Sequence, residues 1–249
     1  MNNAGSRIGA AQIALCAATL VAGLPLEVHT DIVGQTAIGL ACWGVLFYLL
    51  ACGARAERRM MMACIVIATA GELFLSLVWG LYTYRLGNVP QFVPPGHVML
   101  FLLGLALARR LPEPAANAIL GAAALYAGIA GLAGMDTFAV PLFLLLALAS
   151  LVQPAQRRLY ATTFVLSLAL ELYGTSLGNW AWTPEVPGMG YVTTNPPLEA
   201  GALYSALDAL VAVASTLIAP GLADARRALA DSNIRQGENP AGSAPCGVR

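Results

Sequence analysis

Glu72, Glu171 and Asp208 are carboxylic acids set inside long apolar runs, and His97 and Glu199 stand where two further apolar runs begin. A charge at the centre of a bilayer costs at least about 2.5–3.5 kcal/mol on insertion scales, so such residues face a protein interior and mark function. On a helix rise of about 1.5 Å per residue, Glu72 lies about 12 Å below Gly80, Glu171 about 10 Å below Gly178 and Asp208 about 14 Å below Glu199. The three carboxyls are thereby predicted to share one level of the membrane and to line one dry cavity, a setting that favours the protonated acid. The chemistry open to such an acid, with His97 or a second carboxyl as base, is protonation of a carbon–carbon double bond. The alternatives are structural: neutral carboxyls that glue helices together, a Glu199 that complements a helix N-terminus, and an interfacial His97.

Aromatic residues crowd the same levels. Trp79, Tyr82, Tyr84, Trp180, Trp182 and Tyr191 are expected to wall a substrate cavity, with Tyr173, Asn195 and Tyr204 completing the candidate binding set. Aromatic faces stabilise a cationic intermediate by about 2 kcal/mol or more when desolvated. The competing reading is an interfacial aromatic belt of the kind most membrane proteins carry.

These residues are positioned by a repeat. GELFLSLVWGLYTYRLGNVPQFVPPGHVM from Gly71 is echoed by LELYGTSLGNWAWTPEVPGMGYVTTNPPLEA from Leu170. Glu72 matches Glu171, Gly80 matches Gly178, Tyr82 and Tyr84 match Trp180 and Trp182, Phe92 matches Tyr191, and Pro94-Pro95 matches Pro196-Pro197, which sets His97 opposite Glu199. Internal repetition fixes architecture. The expectation is an all-α, polytopic membrane bundle of about eight transmembrane helices, seven being possible, in two similar four-helix halves joined as a parallel duplication. Residues 1–112 form the first membrane repeat, 113–222 the second, and 223–249 a polar cytoplasmic tail that is partly disordered.

Composition sets the solvent: 58% of residues are hydrophobic, 10% are charged, and the mean hydropathy is +0.71. Runs of about 20 residues that match the hydrocarbon core fall near 8–27, 30–54, 60–84, 96–110, 115–134, 137–154, 159–178 and 198–222. The first reads as a span rather than a cleaved signal peptide. There is no Lys, and under eight spans every Arg except Arg85 falls on one face. Positive charge is retained on the cytoplasmic side, so both termini are expected in the cytoplasm, in keeping with a bacterial inner membrane. The formal net charge of zero, with no basic arm or phosphate loop, argues against nucleic acid. The five cysteines lack metal-ligand or CxxC spacing and read as buried apolar thiols.

The run GNWAWTPEVPGMGYVTTNPPLEAGALYSALDALV resembles the lycopene cyclase domain of membrane-embedded carotenoid enzymes, where an aromatic-x-aromatic-x-Pro loop leads to an acidic Pro-x-Glu-Glu/Asp motif. The matching positions are Trp180, Trp182, Pro184, Pro197 and Glu199, with Tyr82, Tyr84 and Pro95 in the first copy. The Glu before a Gly-aromatic-x-aromatic loop is similar to membrane carotenoid hydratases, for Glu72 and Glu171. Ala200 and Val98 stand where the second acidic residue of the motif would be. The resemblance implies two similar halves and an isoprenoid cyclase or hydratase acting without a cofactor or metal. Glu171 or Glu199 would then be the acid, and Glu72, Asp208 or His97 the base. The expected partners are an apolar lipid or isoprenoid substrate and the membrane lipids, with a homo-oligomer or a partner subunit also open. A proton-coupled transporter and a non-catalytic scaffold are the other two classes the residues allow.

Overall fold

The structure, a computed structural model, describes residues 8–217. The expected tail at 223–249, and the last residues of the eighth expected span, lie outside the described residues. The described chain is all-helical apart from one two-stranded ribbon. Its elements are α1 (Ala10–Glu27), α2 (Ile32–Cys52), α3 (Arg55–Glu72), β1 (Tyr82–Tyr84), α4 (Val93–Ala108), α5 (Glu113–Leu132), α6 (Ala139–Val152), α7 (Arg157–Leu177), β2 (Trp180–Trp182) and α8 (Gly201–Leu217).

Local chemistry sets the boundaries. Asp31 caps α2 by accepting hydrogen bonds from the backbone N–H groups of Val33 and Gly34. Glu57 accepts from the N–H of Ala54 at the start of α3. Pro112 and Pro114 open α5. Gly178, at φ +86°, ends α7 in the left-handed region where a side chain would be strained. Gly80, its match in the repeat, is also left-handed, at φ +73°.

The two Glu-bearing helices differ in one respect. Gly80 follows Glu72 by eight residues, whereas Gly178 follows Glu171 by seven. The extra residue is taken up by a π-helical turn at Leu73–Val78, closed by the Trp79 N–H donating to the Phe74 carbonyl at 2.8 Å. A π turn holds one more residue per turn and occurs most often at functional sites. It leaves both glycines, and the strands that follow them, in matching places.

The strands pair with each other. β1 and β2 are antiparallel, with Tyr82 opposite Trp182, Thr83 opposite Ala181 and Tyr84 opposite Trp180. Because the repeat equates Tyr82 with Trp180 and Tyr84 with Trp182, this register is what a local two-fold axis between Thr83 and Ala181 produces. The ladder runs on at both ends: the Arg85 N–H donates to the Asn179 carbonyl at 2.9 Å, and the Thr183 N–H to the Leu81 carbonyl at 3.0 Å.

α4 packs against α1, α3 and α7 at the centre of the bundle. Close approach relies on glycine: a Cβ on Gly104 of α4 would meet the Thr163 hydroxyl of α7 at 2.7 Å, and one on Gly201 would collide with the Phe164 carbonyl. α1, α2, α5 and α3 with its π turn are long and apolar enough to cross a membrane, and α6 with α7, bent by 109° at their junction, pass together as a fifth candidate. α4 and α8 are apolar but shorter. Among the described residues length and apolarity therefore qualify four to five spans, against the eight expected of the whole chain.

Candidate active site

The ribbon carries the aromatics back onto the carboxylates. Alternate residues of a strand share a face, so Tyr82 and Tyr84 point together, as do Trp180 and Trp182. Both tyrosine hydroxyls donate to Glu72 Oε2, at 2.8 and 2.7 Å. Both indole N–H groups donate to Glu171 Oε2, at 2.7 and 2.9 Å. The remaining carboxyl oxygens have one partner each. His97 Nε2 lies 2.7 Å from Glu72 Oε1, and the Tyr204 hydroxyl donates to Glu171 Oε1 at 2.7 Å. The His97 and Tyr204 rings stack at 5.0 Å and 19°. Two carboxyls, each with three partners, therefore face each other across one stacked pair.

Burial is nearly complete. Glu72 and Glu171 are 6% and 3% exposed, and all four ribbon aromatics are buried. These four are therefore not an interfacial belt. Tyr82 lies 4.8 Å from Trp182 and Tyr84 6.0 Å from Trp180, ring centre to ring centre. The indole of Trp180 lies so close to α7 that a Cβ on Gly174 would overlap it. Every oxygen of the two carboxyls has a hydrogen-bond partner, which is what makes such burial tolerable.

A cavity of about 70 Å³ opens onto this assembly. Glu72, Glu171, His97, Tyr82, Tyr84 and Tyr204 line its polar end. Its apolar walls come from α1 (Leu20, Leu24), α2 (Ile38, Cys42) and α4 (Met99, Leu100). A smaller cavity of about 40 Å³ also touches Glu72, Tyr82, His97, Glu171 and Tyr204 and continues past Trp182 to Leu203 and Leu207.

The other sequence-predicted residues lie elsewhere. The Trp79 indole donates to the Pro187 carbonyl at 2.9 Å and tethers the long second loop. Asn195 accepts from the backbone N–H of Trp182 at 3.0 Å, so it holds β2 and does not reach the cavity. The Tyr173 hydroxyl donates to the Val21 carbonyl of α1, and Tyr191 packs on Phe138 at 6.1 Å. Asp208 is buried one turn beyond Tyr204 on α8 and accepts from the Thr163 hydroxyl at 2.7 Å. It does not line either cavity. Glu199 is buried away from the carboxylate pair, with Oε2 unpartnered. Tyr204, not Glu199, is the counterpart of His97, because α8 begins six residues later relative to its Pro-Pro than α4 does.

Sequence reasoning passed over the clamp at one end of the ribbon. Glu27, at the end of α1 and 1% exposed, accepts from Arg85 at 2.7 Å, from Gln35 at 2.8 Å and from Asn179 at 2.6 Å. Arg85 also donates to the Glu27 and Thr30 carbonyls. The signal was present: Arg85 is the one Arg that breaks the charge asymmetry of the loops, and a buried carboxylate explains why it does.

Together these features define an apolar helical protein of the membrane class with a buried two-carboxylate site. No protein-family model matches the chain, and no curated protein or solved structure is significantly similar to it.

Proposed function

We propose that the protein is an integral membrane enzyme that protonates a carbon–carbon double bond of an uncharged isoprenoid or other apolar lipid, leading to cyclisation, hydration or isomerisation. The observation that carries this reading is the pairing of unlike carboxyls at the polar end of one apolar cavity. Glu171 has only neutral donors, two indoles and a phenol. Burying a carboxylate without a cation is costly, so Glu171 is the group that holds a proton. Glu72 has His97 beside it and serves with it as the base.

The steps balance without a further reagent. The Glu171 proton passes to one alkene carbon, the π electrons form the new C–H bond, and the neighbouring carbon becomes cationic. The Glu171 carboxylate left behind is met by three donors already in place, the arrangement that stabilises developing charge most effectively. The faces of Tyr82, Tyr84 and Trp180 stabilise the cation. A proton then leaves a carbon next to the cation, or a water that adds to it, for the Glu72–His97 pair. Return of that proton to Glu171, by way of water admitted to the cavity that Glu72, His97 and Glu171 all line, restores the site. Among the described residues His97 is the only basic side chain lining the cavity, and Arg85 is held by Glu27. Nothing there would receive a diphosphate, which favours an uncharged hydrocarbon terminus.

The same reading takes the eight helices as eight crossings in two similar halves, with both termini at the cytoplasmic face of a bacterial inner membrane. α4 is shortened on this view because the chain before it is spent in the inward-folded ribbon and loop, and α8 is described only as far as Leu217. The likeness to lycopene cyclase domains and carotenoid hydratases agrees with the chemistry.

The test is expression in a host supplied with polyprenyl and carotenoid precursors, with extracted lipids compared by mass and retention. A new product of unchanged mass indicates cyclisation or isomerisation, and a gain of one water indicates hydration. Unchanged lipids would overturn the proposal. A proton-coupled transporter is the second reading, favoured by the smaller cavity on the far side of the carboxylates. Proton-dependent uptake into proteoliposomes without lipid conversion would establish it instead.

A further inference from the structure

The ribbon has a second buried acidic cluster, at the end away from Glu27. Asp136, in the turn between α5 and α6, is fully buried. Its Oδ2 accepts from the Tyr126 hydroxyl at 3.1 Å and lies 3.3 Å from the Thr194 hydroxyl, whose nearer acceptor is the Pro196 carbonyl at 2.8 Å. Its Oδ1 is buried with no partner. Glu199, from the turn before α8, is 1% exposed and its Oε2 is likewise buried without a partner. The Thr194 hydroxyl, within reach of both Asp136 Oδ2 and the Pro196 carbonyl, ties the segment that leads to Glu199 to Asp136.

The two ends of the ribbon supply the comparison. Asp136 sits in the turn that follows α5, and Glu27 is the last residue of α1, so each stands where the first helix of its half gives way to the second. Beside Asp136, Phe138 packs against Trp79 at 6.4 Å, and Trp79 leads into the ladder end formed by Leu81 and Thr183. At the opposite end the corresponding ladder positions are Asn179 and Arg85, and Arg85 neutralises Glu27. Thr183 stands where Arg85 stands. The second acidic cluster therefore has two carboxyls and no guanidinium. The titratable groups facing it are Tyr126 from α5 and Glu199; α6 has none, and in the long loop Glu185 is exposed while Tyr191 packs on Phe138. Two unpaired anionic oxygens in a dry site cost several kcal/mol without a counter-charge.

We infer that Asp136 and Glu199 bind one monovalent cation, a proton or a sodium ion, which takes at this end of the ribbon the place that Arg85 takes at the other. Oxygen donors alone suit hard cations, and the Tyr126 hydroxyl already orients Asp136. Occupation would tie the α5–α6 turn to the start of α8, the helix that carries Tyr204. This binding does not depend on the reaction proposed above.

Thermal unfolding of the full chain in detergent tests it, scanned over sodium concentration at fixed pH and over pH without sodium, potassium replacing it at constant ionic strength. A ligand that binds only the folded state raises Tm with its concentration. The expected result is a Tm that rises with sodium, or as pH falls through neutrality, and a loss of that dependence in both Glu199→Gln and Asp136→Asn. Sodium dependence identifies the metal ion, and pH dependence alone identifies the proton. The inference is overturned if the wild-type Tm responds to neither, or if either response survives unchanged in Glu199→Gln. Unchanged lipids in the host that expresses the wild-type protein, with the cation response intact, would overturn the enzymatic reading alone.

Discussion

The surroundings of Glu72 and Glu171 are built on one plan and differ in chemistry. Each carboxyl accepts from two aromatic residues spaced by one on its own strand, and each has a third partner from the helix that follows. The plan serves position: an antiparallel ribbon across a local two-fold axis delivers four rings to two acids with only six strand residues. The differences serve chemistry. Glu72 has two phenols and an imidazole, a ring that can carry a positive charge, whereas Glu171 has two indoles and one phenol, all of them neutral donors. An acid and a base need unlike surroundings, and divergence between two copies is a direct route to them.

That contrast can be broken most sharply at the carboxyls. Glu171→Gln and Glu72→Gln are each expected to lower product formation by about 10²–10⁴-fold, the range for loss of a general acid or base, measured by lipid extraction at matched protein levels. Full activity in either variant would end the acid and base assignment. The third partners come next. His97→Phe keeps a ring to stack on Tyr204 but removes the nitrogen, with an expected loss of about 10²-fold. Tyr204→Phe removes one hydrogen bond of about 1.5 kcal/mol from a carboxylate, an expected loss of about tenfold. Equal losses would mean that the two sides do the same work.

A smaller effect distinguishes the two ends of the ribbon. Arg85→Ala leaves Glu27 without its cation and is expected to destabilise by about 3 kcal/mol, read as a fall in denaturation midpoint. Thr183→Ala, at the matching position, removes only a hydroxyl bonded to the Leu81 carbonyl and should cost about 1 kcal/mol. The smallest contrast is between the helices themselves. Gly174→Ala forces the Trp180 indole to move and should cost about 1–3 kcal/mol, with a shift in tryptophan fluorescence. Gly71→Ala has open space around it and should be neutral or stabilising by up to about 1 kcal/mol.

Much of the site was legible in the chain. Glu72, Glu171 and His97 stand out because a carboxyl or a ring nitrogen is conspicuous against apolar sequence, the repeat names Tyr82, Tyr84, Trp180 and Trp182, and Tyr204 enters only as a member of the candidate binding set. Trp79, Tyr173, Tyr191 and Asn195 have the same residue types at similar depths, yet they serve as tethers and packing. Residue type and depth fix neither the direction of a side chain nor the bend of the loop that bears it. Asp136 and Glu27 went unnoticed because each lies at a helix end, where an acidic residue is ordinary.

The sequence by itself determined the solvent, the helical class and the repeated Glu-Gly-aromatic frame, because hydropathy and repetition are properties of neighbouring residues. Only the tertiary structure decided that the two aromatic segments pair with each other, that a π turn absorbs the extra residue, and that Tyr204 rather than Glu199 answers His97. Those outcomes depend on strand pairing and helix register between segments about 100 residues apart, and contacts over that distance leave no periodic trace along the chain.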